Sequence, residues 1–404
     1  MTALNLQGHL PRRGLLLGLG AIATLGPTRL ALARAPGDAR LVVVLLRGAL
    51  DGLAAVPPYG DPDFAQLRPG EPREPGVAGG PLDLGGRFGL HPRLTNIHAM
   101  FQANEALVVH AIAGAYRTRS HFDAQALLES GEARIGTSGW LNRALAGLPE
   151  PAQGARNGLA LGTDIPLLLR GPVRIANHAP LTAARPEDDL MARIAALNAP
   201  DPLLGPAMHE GLAQRAFTAS ALGPQPQGTP AGGPRPQNPT AELARTAGRL
   251  LAEANGPRVA ALDMGGWDTH VGQAQRLPNT LGALDEALGA LRDALGPVWR
   301  RTAVLVMTEF GRTAAINGNG GTDHGTGGAA FLLGGAVAGG RVIADWPGLA
   351  PERLFERRDL APTEDLRSLI LPLLREHLRL PERTVAAAFP GTGGLSTMRG
   401  LLRG

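Results

Sequence analysis

Four short runs of mostly apolar residues constrain the fold of this chain more than any other feature of its sequence. They are Leu41–Leu46, Ala106–Ile112, Arg258–Met264 and Ala303–Met307. A continuous apolar run of this length is typical of a strand buried on both faces, as in a parallel sheet. The runs therefore predict an α/β fold, a three-layer α/β/α sandwich around a mostly parallel sheet.

The segment between the last two runs predicts the clearest helix of the chain. Asn279 is the predicted N-terminal cap, and Gly296-Pro297 is predicted to end the helix. One apolar stripe is formed by Leu281, Leu284, Leu288, Leu291 and Leu295. A strand–helix–strand unit of this kind is almost always a right-handed crossover between parallel strands. Asp268 and Glu309, which follow the two strands, should therefore lie at the same edge of the sheet.

Polar residues that can bind metals or take part in catalysis lie in loops at this predicted edge. They are Asp51, Ser120, His121, Asp268, His270, Glu309, Asp323 and His324. Open α/β sheets carry their ligand sites at the carboxyl edge of the strands. Carboxylates and imidazoles gathered in one place repel one another and lose hydration unless a cation compensates them. The pattern therefore predicts one or two divalent metal ions.

Two of these residues also have ordinary structural explanations. Asp51 precedes Gly52, so an Asp-Gly turn accounts for it. Ser120, with Asp123 three residues later, is a reasonable N-terminal cap of a helix. A hydroxyl at that position also lies in the positive field that stabilises an alkoxide or an anionic substrate. Capping and catalysis both stay open for Ser120.

Residues 1–35 are typical of an export signal. Arg12-Arg13 precede the apolar, glycine-rich run Gly14–Leu25, and small residues at 31–35 offer a cleavage site. Paired arginines before a weakly hydrophobic run resemble a twin-arginine signal. The run is too short to span a bilayer comfortably. We therefore expect the twin-arginine export machinery as a partner and a periplasmic or secreted protein without a stable membrane span.

Composition excludes several kinds of chemistry. All 39 basic residues are arginine, so no Schiff-base or P-loop lysine is available. With no cysteine, disulfides, thiolate nucleophiles and cysteine-based metal sites are excluded. Residues 1–35 hold four arginines and no acid, which accounts for the net charge of +4. The remaining chain is neutral and gives no reason to expect a nucleic-acid partner.

The rest of the chain, 36–404, is predicted to form a single domain. Residues from about 186 to 240 are predicted to be a peripheral helical insertion. It would end in a Pro/Gly-rich loop, Gly223–Pro239.

Five ordered motifs together resemble the bacterial domain of unknown function 1501 family (DUF1501). They are the Arg-Arg leader, RGALDGL at 47–53, RTRSHFDAQ at 117–125, GGWDTH at 265–270 and TEFGRT…GTDHG at 308–325. The resemblance covers nearly the whole chain. The family is grouped with the alkaline-phosphatase-like superfamily of phosphatases, sulfatases and phosphoglycerate mutases. It implies an alkaline-phosphatase-like fold with two metals at the carboxyl edge of the sheet.

The resemblance also implies which residues hold the metals. Asp268, His270 and His324 would bind one ion, and Asp51 with Glu309 would bind the second. Asp323, next to His324, joins the candidate ligands. Histidine and carboxylate ligands without sulfur favour Zn²⁺ or Mn²⁺ over Ca²⁺ or Mg²⁺.

The catalytic residues follow from the same motifs. Ser120 stands where the superfamily has its nucleophile, with His121 beside it. Arg119 or Arg312 would bind the anionic group of the substrate bidentately. The predicted function is an exported metal-dependent hydrolase of phosphate or sulfate esters, acting on a small anionic ester.

A different class of function stays open as an alternative. The chain would then be a secreted, non-catalytic binding or assembly protein that retains the fold with at most one structural metal. A Ser-His-Asp esterase is disfavoured, because the sequence contains no Gly-x-Ser-x-Gly nucleophile elbow.

Overall fold

A nine-stranded mixed sheet lies at the centre of the structure. The computed structural model describes residues 38–71, 74–151, 155–179, 188–202, 204–222 and 237–404. The sheet strands are β1 (Arg40–Leu46), β4 (Ala106–Ala113), β5 (Gly158–Leu161), β6 (Ala176–His178), β7 (Val259–Met264), β8 (Thr302–Thr308), β9 (Gly328–Leu333), β10 (Arg341–Ile343) and β11 (Glu364–Asp365). A separate two-stranded sheet pairs β2 (Leu82–Asp83) with β3 (Gly89–Leu90).

The four predicted strands are present and run parallel to one another. The strand order is β10-β4-β9-β8-β1-β7-β5-β6, and β11 also pairs with β4. β1 pairs in parallel with both β7 and β8, whereas β9 is antiparallel to its neighbours β4 and β8. Because β9 runs in the opposite direction, the loop before it lies at the carboxyl edge of the other strands. That loop carries His324 to the same edge as the loops that follow β1, β4, β7 and β8.

Two hydrophobic cores cover the two faces of the sheet, which confirms the predicted three layers. Alternate residues of β1 point to opposite sides: Val42 and Val44 belong to one core, and Leu41 and Val43 to the other. Every residue of β1 is buried, which explains the uninterrupted apolar run Leu41–Leu46 that follows Arg40.

Most of the helices are short, and the helices at 239–252 and 273–295 pack in the core that contains Val42 and Val44. They are α1 (Gly52–Ala55), α2 (Phe64–Leu67), α3 (Thr95–Gln102), α4 (His121–Ser130), α5 (Trp140–Leu145), α6 (Asp188–Asn198), α7 (Leu204–Leu222), α8 (Pro239–Ala252), α9 (Gln273–Leu295), α10 (Leu366–Pro372) and α11 (Glu382–Ala388). Short segments of other helix types lie at Leu167–Leu169, Gly296–Arg301 and Leu373–His377.

The predicted start of α9 was wrong. The helix begins at Gln273 rather than after Asn279, and Pro278 lies inside it. A proline within the first two turns removes one backbone hydrogen bond, and the buried leucine stripe compensates for that loss. This earlier start places Gln273 close to the edge loops, where it takes part in the hydrogen bonding described below.

Several sequence predictions fall partly or wholly outside the described residues. The predicted leader, residues 1–35, lies entirely outside them, and most of the predicted loop at 223–239 also lies outside them. The helices α6 and α7 lie within the predicted insertion. Residues 36–404 form one compact unit. Within the described ranges, no helix is both long enough and apolar enough to cross a membrane.

Candidate metal centre

Three side chains from three separate loops converge at the carboxyl edge of the sheet. His121 begins α4 after β4, Asp268 follows β7, and His324 precedes β9. The Nε2 atoms of His121 and His324 lie 2.9 Å apart. Asp268 Oδ1 lies 3.6 Å from His121 Nε2 and 3.4 Å from His324 Nε2. These three residues form a group whose ligand atoms all lie within 4.8 Å of one another.

A fourth donor adjoins this group. His270 Nε2 lies 2.9 Å from His324 Nε2 and 3.0 Å from Asp268 Oδ1. Close packing fixes the loop that carries His270, because a Cβ on Gly321 would lie 2.3 Å from the carbonyl carbon of His270. We call His121, Asp268, His270 and His324 the candidate metal centre, shortened below to the metal centre.

The hydrogen bond made by Nδ1 of each histidine determines whether its Nε2 can bind a metal ion. Nδ1 of His121 lies 2.7 Å from Glu309 Oε1, and Nδ1 of His270 lies 2.9 Å from Asp323 Oδ1. Nδ1 of His324 lies 2.9 Å from the carbonyl oxygen of Arg119. Carboxylate and carbonyl oxygens only accept hydrogen bonds, so each Nδ1 carries the proton. In the neutral rings, each Nε2 therefore turns a lone pair toward the centre.

A cation between these atoms would compensate lone pairs that face one another at such distances. Histidine ligands of metals almost always donate their other ring N–H to a carboxylate or carbonyl oxygen, as all three histidines do here. Zinc–nitrogen bonds of about 2.0–2.1 Å in a tetrahedral site place ligand atoms about 3.3 Å apart. The measured separations of 2.9–3.6 Å bracket that value. The donor set therefore fits one divalent ion.

The surroundings of the centre favour the neutral form of His324 and the ionised form of Asp268. Burial, followed by the nearby His121 and Arg312, lowers the pKa of His324. The hydrogen bond to Glu309 raises the pKa of His121. Burial alone would raise the pKa of Asp268, but the hydrogen bond and charge of Arg312 hold it below its usual value. Asp268 is thus an anion ready to bind a cation.

The structure places Glu309 behind His121 rather than at a second metal. Its Oε1 accepts hydrogen bonds from Gly48 N at 2.8 Å, from Gln125 Nε2 at 2.8 Å and from His121. Its Oε2 accepts one from Thr308 Oγ1 at 2.9 Å. Both oxygens are already engaged, and the side chain is 1% exposed. Glu309 therefore orients the His121 ring.

The structure does not bring Asp51 into the metal centre. Its carboxylate accepts two hydrogen bonds from Arg68, at 2.7 and 3.0 Å, and one from Gln273 Nε2 at 2.6 Å. It also caps α1 by accepting from the backbone N–H groups of Leu53 and Ala54. Asp51 and Arg68 are both buried, so they form an ion pair inside the protein. The second metal site expected from Asp51 and Glu309 is thus not assembled.

Asp51 is instead linked to the metal centre through a buried hydrogen-bond network. Gln273 Oε1 accepts from Thr322 Oγ1 at 2.7 Å, and Thr322 in turn accepts from Arg312. Arg312 Nη1 donates to Asp268 Oδ1 at 2.6 Å. The network connects α9, the loop after β8 and the loop after β7, so it fixes these loops relative to one another.

The two arginines predicted to bind an anionic substrate are engaged with acidic side chains. Arg312 is fully buried and holds Asp268. Arg119 donates to Asp359 at 2.7 and 2.9 Å and to Glu356 at 2.6 Å. Neither guanidinium is available as a free clamp in this arrangement.

Asp359 is a residue of the site that the sequence did not reveal. It is fully buried and holds two arginines that both contact His324. Arg119 offers its carbonyl oxygen to the His324 ring, and its backbone is in the left-handed region, at φ 63°. Arg358 donates to Asp359 at 2.8 Å and to the carbonyl oxygen of His324 at 2.7 Å. No apolar strand or recognisable motif precedes Asp359, so nothing in the sequence pointed to it.

Replacing Asp359 with asparagine should weaken metal binding without removing a ligand. The two arginines would lose their shared anion, and His324 would lose its fixed orientation. Loss of such outer contacts costs about 10- to 100-fold in metal affinity. A competition titration with a chelator measures this change. The exposed Asp164→Asn is the matched control and should leave affinity unchanged. Equal affinities of the two variants would contradict the positioning role.

Ser120 immediately precedes His121, and its side chain makes no capping hydrogen bond with α4. Ser120 therefore occupies the predicted N-cap position, with an extended backbone, but its hydroxyl does not make the predicted capping hydrogen bond. Asp123, three residues later, accepts a hydrogen bond from Tyr116 Oη at 3.0 Å.

These observations define an α/β protein with a candidate metal centre at the carboxyl edge of its sheet. The chain belongs to the DUF1501 family, whose description is "Protein of unknown function". The family model matches residues 110–389. This confirms the family resemblance predicted from the motifs. The matched segment includes all four residues of the metal centre and excludes Asp51.

Solved structures similar to this one include three hydrolases. Alkaline phosphatase from the Antarctic bacterium TAB5 has a TM-score of 0.36 and 12% identity, over 75% of this chain and 94% of that chain. A 2-O GAG sulfatase has a TM-score of 0.33 and 13% identity, over 85% and 71%. Phosphonate monoester hydrolase of Agrobacterium radiobacter has a TM-score of 0.34 and 12% identity, over 85% and 74%. The comparison with curated proteins found no match.

Proposed function

We propose that this protein is an exported hydrolase of phosphate or sulfate esters that depends on a divalent metal. The observation that supports the proposal is the convergence of the Nε2 atoms of three histidines on the carboxylate of Asp268. Ser120 directly precedes one of these histidines in the chain, and its hydroxyl makes no capping hydrogen bond. The centre is also open to substrate, because the Asp268 side chain is 45% exposed.

The metal would be held by His121, Asp268, His270 and His324. Because Asp51 and Glu309 are engaged elsewhere, we propose one ion, and the imidazole-rich donor set favours Zn²⁺ or Mn²⁺. When bound, such an ion supplies Lewis acidity and lowers the pKa of a coordinated hydroxyl or water.

The surrounding residues have supporting roles in this proposal. Glu309 and Asp323 hold the protons on Nδ1 of His121 and His270, which keeps the Nε2 lone pairs free for the ion. Arg312 keeps Asp268 ionised and correctly placed. In this proposal, the Ser120 hydroxyl would give its proton to solvent as its oxygen bonds to phosphorus or sulfur, and the bond to the ester oxygen would break, with that oxygen taking a proton from solvent. Water would then hydrolyse the Ser120 ester, releasing phosphate or sulfate and returning the proton to the serine oxygen.

Ser120→Ala should keep its metal and its stability and lose turnover. The hydroxyl makes no cap bond, so the cost of about 1 kcal/mol typical of a lost N-cap is not expected. Hydrolysis of an aryl phosphate and an aryl sulfate by metal-loaded protein measures turnover, and metal analysis measures content. The exposed Ser396→Ala is the control. If Ser120→Ala hydrolyses the ester at the parental rate, a water molecule becomes the nucleophile to test.

A non-catalytic protein with one structural metal is the second candidate. The observation that favours it is the engagement of Arg119 and Arg312 with acidic partners, which leaves no predicted clamp for an anionic group. One equivalent of metal per chain without turnover of either ester would support this candidate against the hydrolase.

Export is a separate part of the proposal and rests on the leader. Replacing Arg12 and Arg13 with lysine should leave uncleaved precursor in the cytoplasm, because the twin-arginine pathway requires the arginine pair. Cell fractionation and the size of the product measure this. Replacing Arg29 with lysine, outside the pair, is the control. Normal export of the double lysine variant would contradict the twin-arginine assignment.

A further inference from the structure

A cavity of about 420 Å³ is lined by none of the four residues of the metal centre. Its walls come from α1, the first turns of α9 and the loops around α2, β2 and β3. Five prolines line it: Pro57, Pro69, Pro81, Pro92 and Pro278. Proline has a fixed φ angle, so these walls change shape little. The volume falls in the range of small-molecule sites, which are mostly apolar with a few polar groups.

Three polar side chains line this cavity: Glu71, His91 and Gln273. The Gln273 amide is already hydrogen-bonded to Asp51 and Thr322, so Glu71 and His91 are the two considered for contacts with a ligand. The Glu71 side chain is 24% exposed, and one of its oxygens lies 3.2 Å from Arg68 Nη1. Nδ1 of His91 accepts a hydrogen bond from the backbone N–H of Arg93 at 3.1 Å, so the neutral ring carries its proton on Nε2. Burial lowers the pKa of His91 to about 4, which keeps this ring uncharged at neutral pH.

Beside the cavity, one arginine contacts two carboxylates. Arg68 Nη1 is shared between two carboxylates, at 2.7 Å from Asp51 and at 3.2 Å from Glu71. Asp51 also has the Arg68 Nη2 contact and the Gln273 contact, so Asp51 takes most of the compensation. In the part of the chain that the structure describes, Arg68 is the one cation recorded within 4 Å of Glu71. When Glu71 is ionised, the two carboxylates therefore carry one more negative charge than Arg68 compensates, and the Glu71 carboxyl lies in the lining of the cavity.

The ionisation of Glu71 reflects this imbalance. Burial, together with repulsion from Asp51, raises the pKa of Glu71 to about 7 against the opposing effect of Arg68. A carboxyl group that is costly to ionise gains most from a cation placed beside it.

We propose that this cavity binds a small organic cation, an alkylammonium ion with an apolar body. The ammonium group would donate to Glu71 from the side opposite Arg68. The apolar body would lie against the prolines and Leu277, which removes its hydrocarbon surface from water. This site is independent of the hydrolase proposal, because it shares no residue with the metal centre.

Isothermal titration with three matched probes tests the charge requirement. The probes are cyclohexylmethylamine as its ammonium ion, cyclohexylmethanol and cyclohexanecarboxylate, which share an apolar ring and differ in charge. The ammonium ion should bind the full-length mature protein at least about tenfold more tightly than the other two, as expected for one charge-assisted hydrogen bond. Equal affinity for the ammonium ion and the alcohol, or no binding of the ammonium ion, would overturn the proposal.

Two variants locate the binding to this cavity. Glu71→Gln should weaken ammonium binding about tenfold, whereas Glu74→Gln, which removes an exposed carboxylate three residues away, should not. Ala274→Phe fills the cavity from an exposed helix position and should abolish binding even if Glu71→Gln proves unstable. Unchanged affinity in Ala274→Phe would show that the ammonium ion binds elsewhere and would overturn the assignment.

Discussion

Replacing His324 with alanine should release the bound metal and remove the stability that the metal confers. His324 Nε2 lies 2.9 Å from Nε2 of both His121 and His270, so it is the donor shared by the whole centre. Loss of a direct ligand should weaken binding by more than the about 10- to 100-fold typical of an outer contact. Asp268→Asn should behave similarly, because it removes the only anion among the four donors.

The stability change provides a second measurement. A ligand present at 100 times its dissociation constant stabilises the native state by about 2.7 kcal/mol. Added Zn²⁺ or Mn²⁺ should therefore raise the melting temperature of the parent and leave those of His324→Ala and Asp268→Asn nearly unchanged. The exposed His209→Ala is the control and should respond like the parent. Stoichiometric metal in purified His324→Ala would contradict the proposed centre.

Arg68→Met should destabilise the protein strongly without removing a metal ligand. The Arg68 and Asp51 side chains are 0% and 1% exposed, so the substitution leaves a buried carboxylate without its counter-ion. Breaking a buried pair by removing one partner costs about 3–5 kcal/mol. The free energy of unfolding in urea measures the loss.

A surface ion pair and a double variant make this test specific. Arg375→Met removes a partner of the exposed Glu382, a contact that should be worth less than about 1 kcal/mol. Combining Arg68→Met with Asp51→Asn should recover part of the stability, because the uncompensated charge is also removed. If Arg68→Met costs no more than Arg375→Met, Asp51 is not held by a structural ion pair and its role as a metal ligand must be reconsidered.

The sheet could be predicted because its central strands are recognisable from their own apolar residues. β1 and β8 are buried on both faces, which favours apolar residues along most of their length, as in the runs Leu41–Leu46 and Ala303–Met307. The crossover rule then placed Asp268 and Glu309 at one edge. The antiparallel direction of β9 was not predicted. A strand's direction depends on which neighbours it pairs with, and its own residues do not record that.

The sequence predicted which residues lie near one another in the candidate site, but it did not predict the role of each residue. Both Glu309 and Asp268 follow a strand, and both are acids. Asp268 faces the metal centre, while Glu309 is turned back onto the His121 ring by contacts with Gly48 and Gln125. These partners lie 261 and 184 residues away along the chain, so only the fold brings them together.

By itself, the sequence determined the layers of the fold and the edge of the sheet at which functional residues gather, because burial and strand order act through local patterns. The tertiary structure decided which acids are free to bind a cation. Asp51 is engaged by Arg68, and Asp359 holds the arginines that support His324. A carboxylate beside a guanidinium forms an ion pair, and the same carboxylate beside imidazole lone pairs becomes a metal ligand. The difference lies in the neighbours that the folded chain provides.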